Sequence, residues 1–165
     1  MFAPLTARAA SLGIVVAAQP GMLSILGDGF AEALPEHSDE LYAYASWRQA
    51  GICVAGSSDA PVITADPLVG IRDAVLRRTS TGRVLGPGEQ LAVRDALAMY
   101  TTEAAFAMRR EQDIGTLEPG KLADFVILDR NPLDAEPEQI TDIRVLATVV
   151  GGRPVFQAGD SPFRL

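Results

Sequence analysis

Histidine is nearly missing from this sequence of 165 residues: His37 stands alone, as do the single lysine, Lys121, and the single cysteine, Cys53. A metal centre built on several histidines cannot be assembled from these residues alone, and a Ser-His-Asp arrangement would have to use His37. One cysteine excludes an internal disulfide, and its place inside an apolar strand pattern reads as a small buried hydrophobe. Basic runs are also lacking. The net charge is -7 and the pI about 4.6, so no nucleic-acid partner is expected. No hydrophobic run approaches a membrane span, and the apolar segment 12–18 has only Arg8 as a basic flank. Neither a membrane partner nor a signal peptide is expected, and the expected location is cytoplasmic.

What is present is a globular composition, 48% hydrophobic and 21% charged, in a chain long enough to bury roughly 70% of its unfolded surface. The run 12–18 is continuously apolar and stops at Gln19-Pro20, which predicts a strand buried on both faces. Residues 21–37, with three glycines and Pro35, read as a long loop. A helix is expected from about Asp39 to Ala50, with Ser38 as its cap and Gly51 as its stop. Ile52 to Ala55 is a second short strand. Asp66-Pro67 opens another helix, with Leu68, Ile71, Val75 and Leu76 on its apolar face. The alternation of strand and helix predicts parallel pairing. Residues 80–90 form a polar loop. Its glycines, Gly82, Gly86 and Gly88, are not a phosphate loop, because no Lys-Ser/Thr follows and no strand precedes. A helix over 91–108 should break at Thr101-Thr102. Beyond residue 112 the pattern turns to β. Pro119-Gly120 marks a type II turn, residues 125–128 read as a strand, and 145–150 with 153–157 as a hairpin on Gly151-Gly152.

The stretch "GICVAGSSDAP", residues 51–61, places Asp59 just past the end of a strand. In parallel α/β folds the C-terminal strand ends form the active face. A carboxylate there can ligate a metal or take a proton, or it can serve as an ordinary turn aspartate with Pro61 fixing the bend, the commoner role for a loop aspartate. Ser58 shares that loop. Gln19 and Pro20 end the first strand and either wall the same pocket or simply terminate the strand. His37 reads as an exposed loop residue, and Asp124 and Asp129 as solvated strand-end residues without chemistry.

Four stretches, "AGSSDAPVITADPLVGIRDAVLRR", "YTTEAAFAM", "IGTLEPGKLADFVILDRNPL" and "VLATVVGGRPVF", resemble the C-terminal part of the amidohydrolase superfamily, in its amidohydrolase-3-like branch of metal-dependent hydrolases. The resemblance runs from about Leu12 to Phe156. It implies that the two strands are the seventh and eighth of a (β/α)8 barrel and that Asp59 is the last-strand aspartate, a metal ligand that handles a proton during hydrolysis of carbon–nitrogen, non-peptide bonds of small molecules. The family's cofactor is one or two divalent metals, zinc foremost. The family's early histidines and its lysine have no counterpart here, and Ala92 stands where a Thr or Ser cap is common. A whole barrel takes about 250 residues. The resemblance therefore implies an α/β chain made of the last two βα units of a TIM barrel over residues 1–112, followed by part of a β-sandwich over 113–165. Such a fragment is expected to bind no metal and to be inactive alone, and to associate with itself or with a missing N-terminal half. A non-catalytic truncated module and one half of a split enzyme are the alternatives.

Overall fold

Two apolar runs lie side by side in the computed structural model, which describes residues 3–163. Strand β1 (Val15–Ala18) pairs in parallel with β2 (Cys53–Gly56), in register from Val15 opposite Cys53 to Ala18 opposite Gly56. The expected pairing is observed. The expected cover is not: Ala18 is buried, but Val15 and Ala17 are exposed, and β2 is the one strand paired with β1 among the described residues. The apolar strand β1 is thus only partly covered among the described residues.

Helix α1 (Ala3–Ser11) precedes β1. It shortens the expected strand, because Leu12 and Gly13 still donate to Arg8 and Ala10 carbonyls, and Gly13 ends the helix at φ 64°. The region expected to be a long loop is instead helix α2 (Gly21–Ala33), with Leu23, Gly27 and Ala31 buried. Its glycines serve close packing rather than turns. A Cβ on Gly27 would lie 2.8 Å from the Thr79 side chain, and one on Gly21 would lie 2.9 Å from that of Ile63.

The helix expected from Asp39 is also redrawn. A 3-10 segment, Pro35–Glu40, is followed by the short α3 (Tyr44–Gln49). Ser38 does not cap it; its hydroxyl donates to the Pro35 carbonyl. The interruption has a cause elsewhere in the chain. The carbonyls of Leu41 and Tyr42 accept from the Arg77 guanidinium at 2.6 and 2.8 Å, which takes them out of any helical ladder, and Tyr42 sits at φ 51°. Arg77 itself is fully buried.

The remaining helices follow local rules. In α4 (Pro67–Leu76) the Asp66 carboxylate accepts from the Leu68 amide at 2.9 Å, as an N-cap should. Helices α5 (Val93–Met99) and α6 (Thr102–Ala107) meet at the expected break. Thr101 does not cap α6 through its side chain; its hydroxyl bonds back to the Leu97 carbonyl at 2.9 Å. Ala92 occupies the N-cap of α5 and offers no side-chain acceptor.

Strands β3 (Phe125–Leu128), β4 (Val145–Val150) and β5 (Arg153–Gln157) form an antiparallel sheet in that order. Gly151 and Gly152, at φ 58° and 75°, give the hairpin its left-handed turn. Gly120 at φ 95°, with the Lys121 amide bonded to the Glu118 carbonyl at 3.1 Å, makes the expected type II turn. One core joins Leu23, Val54, Ile71, Leu85, Met99 and Ile140. Ile140 belongs to a 3-10 segment, Pro137–Asp142, that packs on α4. The α/β core is thus closed partly by residues that lie past residue 112.

Candidate active site

The C-terminal ends of β1 and β2 bring the first strand's Gln19-Pro20 beside the second strand's Ser57-Ser58-Asp59. The junction is bonded. The Ser57 amide donates to the Ala18 carbonyl at 2.7 Å, and the Gln19 amide nitrogen donates to Ser57 Oγ at 2.8 Å and to the Ala17 carbonyl at 3.1 Å. Asp59 follows at φ 55°, a left-handed conformation that aspartate adopts more readily than most residues. Its carbonyl accepts from the Val62 amide at 2.9 Å across the cis Ala60-Pro61 bond. The Asp59 residue is exposed, and its carboxylate has no hydrogen-bond or ion-pair partner among the described residues.

A cavity of about 210 Å³ lies beneath this loop, lined by Ser57, Ser58, Ile63, Asp66, Gly70 and Tyr100. Of the residues singled out in the sequence, Ser58 lines it directly. Gln19 reaches it through Ser57. Pro20 is fully buried at the start of α2. Tyr100, which the sequence offers only as a core position of the helix expected over 91–108, also lines the cavity. Its hydroxyl donates to the Ser57 carbonyl at 3.4 Å. Burial, and then the Asp73 carboxylate, push that hydroxyl up to about 12, so it stays a neutral donor. The signal for it was the pair Gly56 and Gly70, which leave room for a ring.

Asp73 lies near the same wall. It is buried, and it accepts from Ser24 Oγ at 2.6 Å and from Arg72 Nε at 2.7 Å. Burial raises its carboxyl above the ordinary aspartate value, and the bonds from Ser24 and Arg72 only partly oppose that. A larger cavity, about 440 Å³, sits at the opposite, N-terminal ends of the strands, with Ile14, Arg48, Cys53 and Glu103 in its lining. Cys53 is half-buried rather than the fully buried hydrophobe expected; burial pushes its thiol up, and the Glu103 carboxylate adds to the shift. The volume is greater there, but the strand ends that carry Asp59 are not part of it.

His37 lies in the 3-10 segment after α2, with Nδ1 3.5 Å from the Glu40 carboxylate. Lys121 donates to Thr116 Oγ1 at 2.7 Å within its own turn. Asp124 accepts from the Gly151 amide at 2.6 Å and so ties the hairpin, while Asp129 holds Arg144. Among the described residues no group of three or more His, Cys, Asp or Glu side chains is placed to hold a metal ion. A catalytic zinc takes about three protein ligands, so these residues alone do not fit one. No helix is long and apolar enough to cross a membrane among the described residues.

The α/β arrangement is shared with solved hydrolases. An uncharacterized metal-dependent hydrolase from Pyrococcus horikoshii superposes with a TM-score of 0.72 at 27% identity, covering 84% of this chain and 29% of that one. The guanine deaminase of E. coli gives 0.70 at 20% identity over 96% of this chain and 38% of its own, a likeness of fold. Residues 1–156 match the Amidohydrolase family, and the chain belongs to it. Among curated relatives, the N-substituted formamide deformylase of Arthrobacter pascens is 35% identical over 147 residues, which is 88% of this chain and 27% of that protein. Protein LONG AFTER FAR-RED 3 of Arabidopsis thaliana is 36% identical over 152 residues, 90% of this chain and 26% of its own. The chain thus spans about a quarter of the length of these relatives.

Proposed function

We propose that this chain is the C-terminal portion of an amidohydrolase that cleaves a carbon–nitrogen, non-peptide bond in a small molecule, and that Asp59 is its proton-handling carboxylate. In this reading residues 1–112 are the last two βα units of a TIM barrel, residues 113–165 are part of the composite β-sandwich, and the enzyme is cytoplasmic. The observation that carries it is the position of Asp59, on a bonded loop at the C-terminal ends of two paired parallel strands, where barrel enzymes place their chemistry. Family membership and the metal-dependent hydrolases among similar structures support it further. The metal, zinc foremost, needs ligands from another segment, because the described residues of this chain hold no such group. By itself the chain is inactive, and its open strand edges favour self-association or pairing with the missing part. A non-catalytic truncated module, or one half of a split enzyme, is the rival reading, and the same shortage of ligands favours it.

The test is a chimera in which these residues replace the matched quarter of the formamide deformylase relative. The chimera should hydrolyse an N-substituted formamide, and Asp59→Ala should lower kcat by about a hundredfold or more, the range of a lost acid–base group. The isolated chain with added zinc should not turn over. A folded, active chimera that is indifferent to Asp59→Ala refutes the assignment.

A further inference from the structure

Tyr100 stands where α5 ends, 43 residues along the chain from the carbonyl it binds. Its ring fills a slot cut by two glycines. A Cβ on Gly56, at the end of β2, would lie 2.6 Å from ring atoms, and a Cβ on Gly70, inside α4, would lie 1.8 Å from the hydroxyl oxygen. Real Cβ contacts do not come so close, so any side chain at either position would expel the ring. The helix interior accepts the poorest non-proline helix former to make this room.

The slot sits under Ser57, and Ser57 is held from three directions. The Ala18 carbonyl takes its amide hydrogen, Gln19 donates to its hydroxyl, and Tyr100 donates to its carbonyl. Two residues on, the chain passes through the left-handed Asp59. The 3.4 Å hydroxyl bond is long for an O–H donor, so the ring's contact with Gly56 and Gly70 provides most of the hold.

We propose that Tyr100 is a positioning residue. Wedged between Gly56 and Gly70, it fixes the Ser57-Ser58-Asp59 loop from below and so sets the backbone position from which Asp59 projects. This deepens the reading of Asp59 as the proton-handling group, and for catalysis it rests on that reading; the hold on the loop does not.

Hydrogen exchange on the full chain tests the hold directly. The reporters are the amides of Ser57, bonded to Ala18, and Val62, bonded to Asp59. Tyr100→Leu removes the wedge and should speed their exchange tenfold or more, while the amides of β4 keep their rates. Tyr100→Phe keeps the ring and loses one weak bond, which at the low end of a hydrogen bond's net worth gives about a twofold to fivefold change at Ser57. If Tyr100→Leu does not fold, Gly70→Ala, whose methyl meets the Tyr100 hydroxyl and displaces the ring, decides in its place. Unchanged exchange at Ser57, or an increase shared equally by β4, overturns the proposal. In the chimera, Tyr100→Leu should lower kcat and leave KM in place. An unchanged kcat, with Asp59→Ala still damaging, overturns the positioning role alone. An active chimera indifferent to Asp59→Ala sinks the reading of Asp59, and the exchange result stands independently of it.

Discussion

Replacing Arg77 by methionine keeps most of the side-chain volume and removes every donor. The guanidinium is fully buried at the C-terminal end of α4. Nε donates to the Leu85 carbonyl at 2.6 Å, Nη1 to Tyr42 at 2.8 Å and Nη2 to Leu41 at 2.6 Å. The cation also lies 5.4 Å from the centre of the Tyr44 ring. One residue therefore joins α4 to two separate loops. Each bond from a charged donor contributes about 1.5–3 kcal/mol, and each carbonyl left buried and unpaired costs about 1–3 kcal/mol. Against this, burial lowers the pKa of Arg77, the mark of a desolvation cost that methionine escapes. Losing three such bonds, less the desolvation that methionine escapes, costs about 3–5 kcal/mol net, a large part of the 5–15 kcal/mol that holds a typical domain. Urea unfolding should show a lower midpoint at unchanged slope, and the thermal midpoint should fall by about 6–20 °C. Arg77→Lys, with one nitrogen for three divergent carbonyls, should recover only part of the loss. A Met variant within about 1 kcal/mol of the parent would refute the argument, because the Leu41 and Leu85 carbonyls lose their donor, while that of Tyr42 keeps the Tyr44 amide, and two unpaired carbonyls cost more than that.

Ala92→Ser should stabilise the chain by about 1 kcal/mol in a thermal melt, since the N-cap of α5 lacks a side-chain acceptor and a serine supplies one. Gly70→Ala should destabilise by about 1–3 kcal/mol, although alanine is the better helix former, because its methyl meets the Tyr100 hydroxyl; combining it with Tyr100→Leu should recover most of the loss, and a more stable single variant would contradict the slot. Asp73 has a folded-state pKa raised by burial, so the folded chain holds its proton more tightly than the unfolded one, and the contribution of Asp73 to stability falls as pH rises past about 4. Urea melts of the parent and Asp73→Asn should therefore show the parent at its greatest relative advantage near pH 3.5, with the difference shrinking by pH 6; a difference that grows with pH would reverse the sign of this reasoning.

Local signals were legible in the sequence because they depend on a few neighbouring residues. The apolar runs of β1 and β2, the Asp66 cap with Pro67, the break at Thr101-Thr102, the turn at Pro119-Gly120 and the paired glycines of the hairpin are all present where residue type and spacing put them. Asp59 was legible as a candidate for the same reason, as a carboxylate just past a strand end. Family membership, too, follows from residues in sequence. Tertiary structure decided what depended on partners far along the chain. Gly21 and Gly27 looked like loop residues until Ile63, Thr79 and Leu85 packed against them and made α2 a helix. The helix read from Asp39 stops short because Arg77, 36 residues beyond Leu41, takes its carbonyls. The wall under Asp59 exists because Tyr100 enters a gap between two glycines that come from different elements. A glycine's meaning is set by what fills the space its missing side chain leaves, and the sequence does not say which residue arrives there.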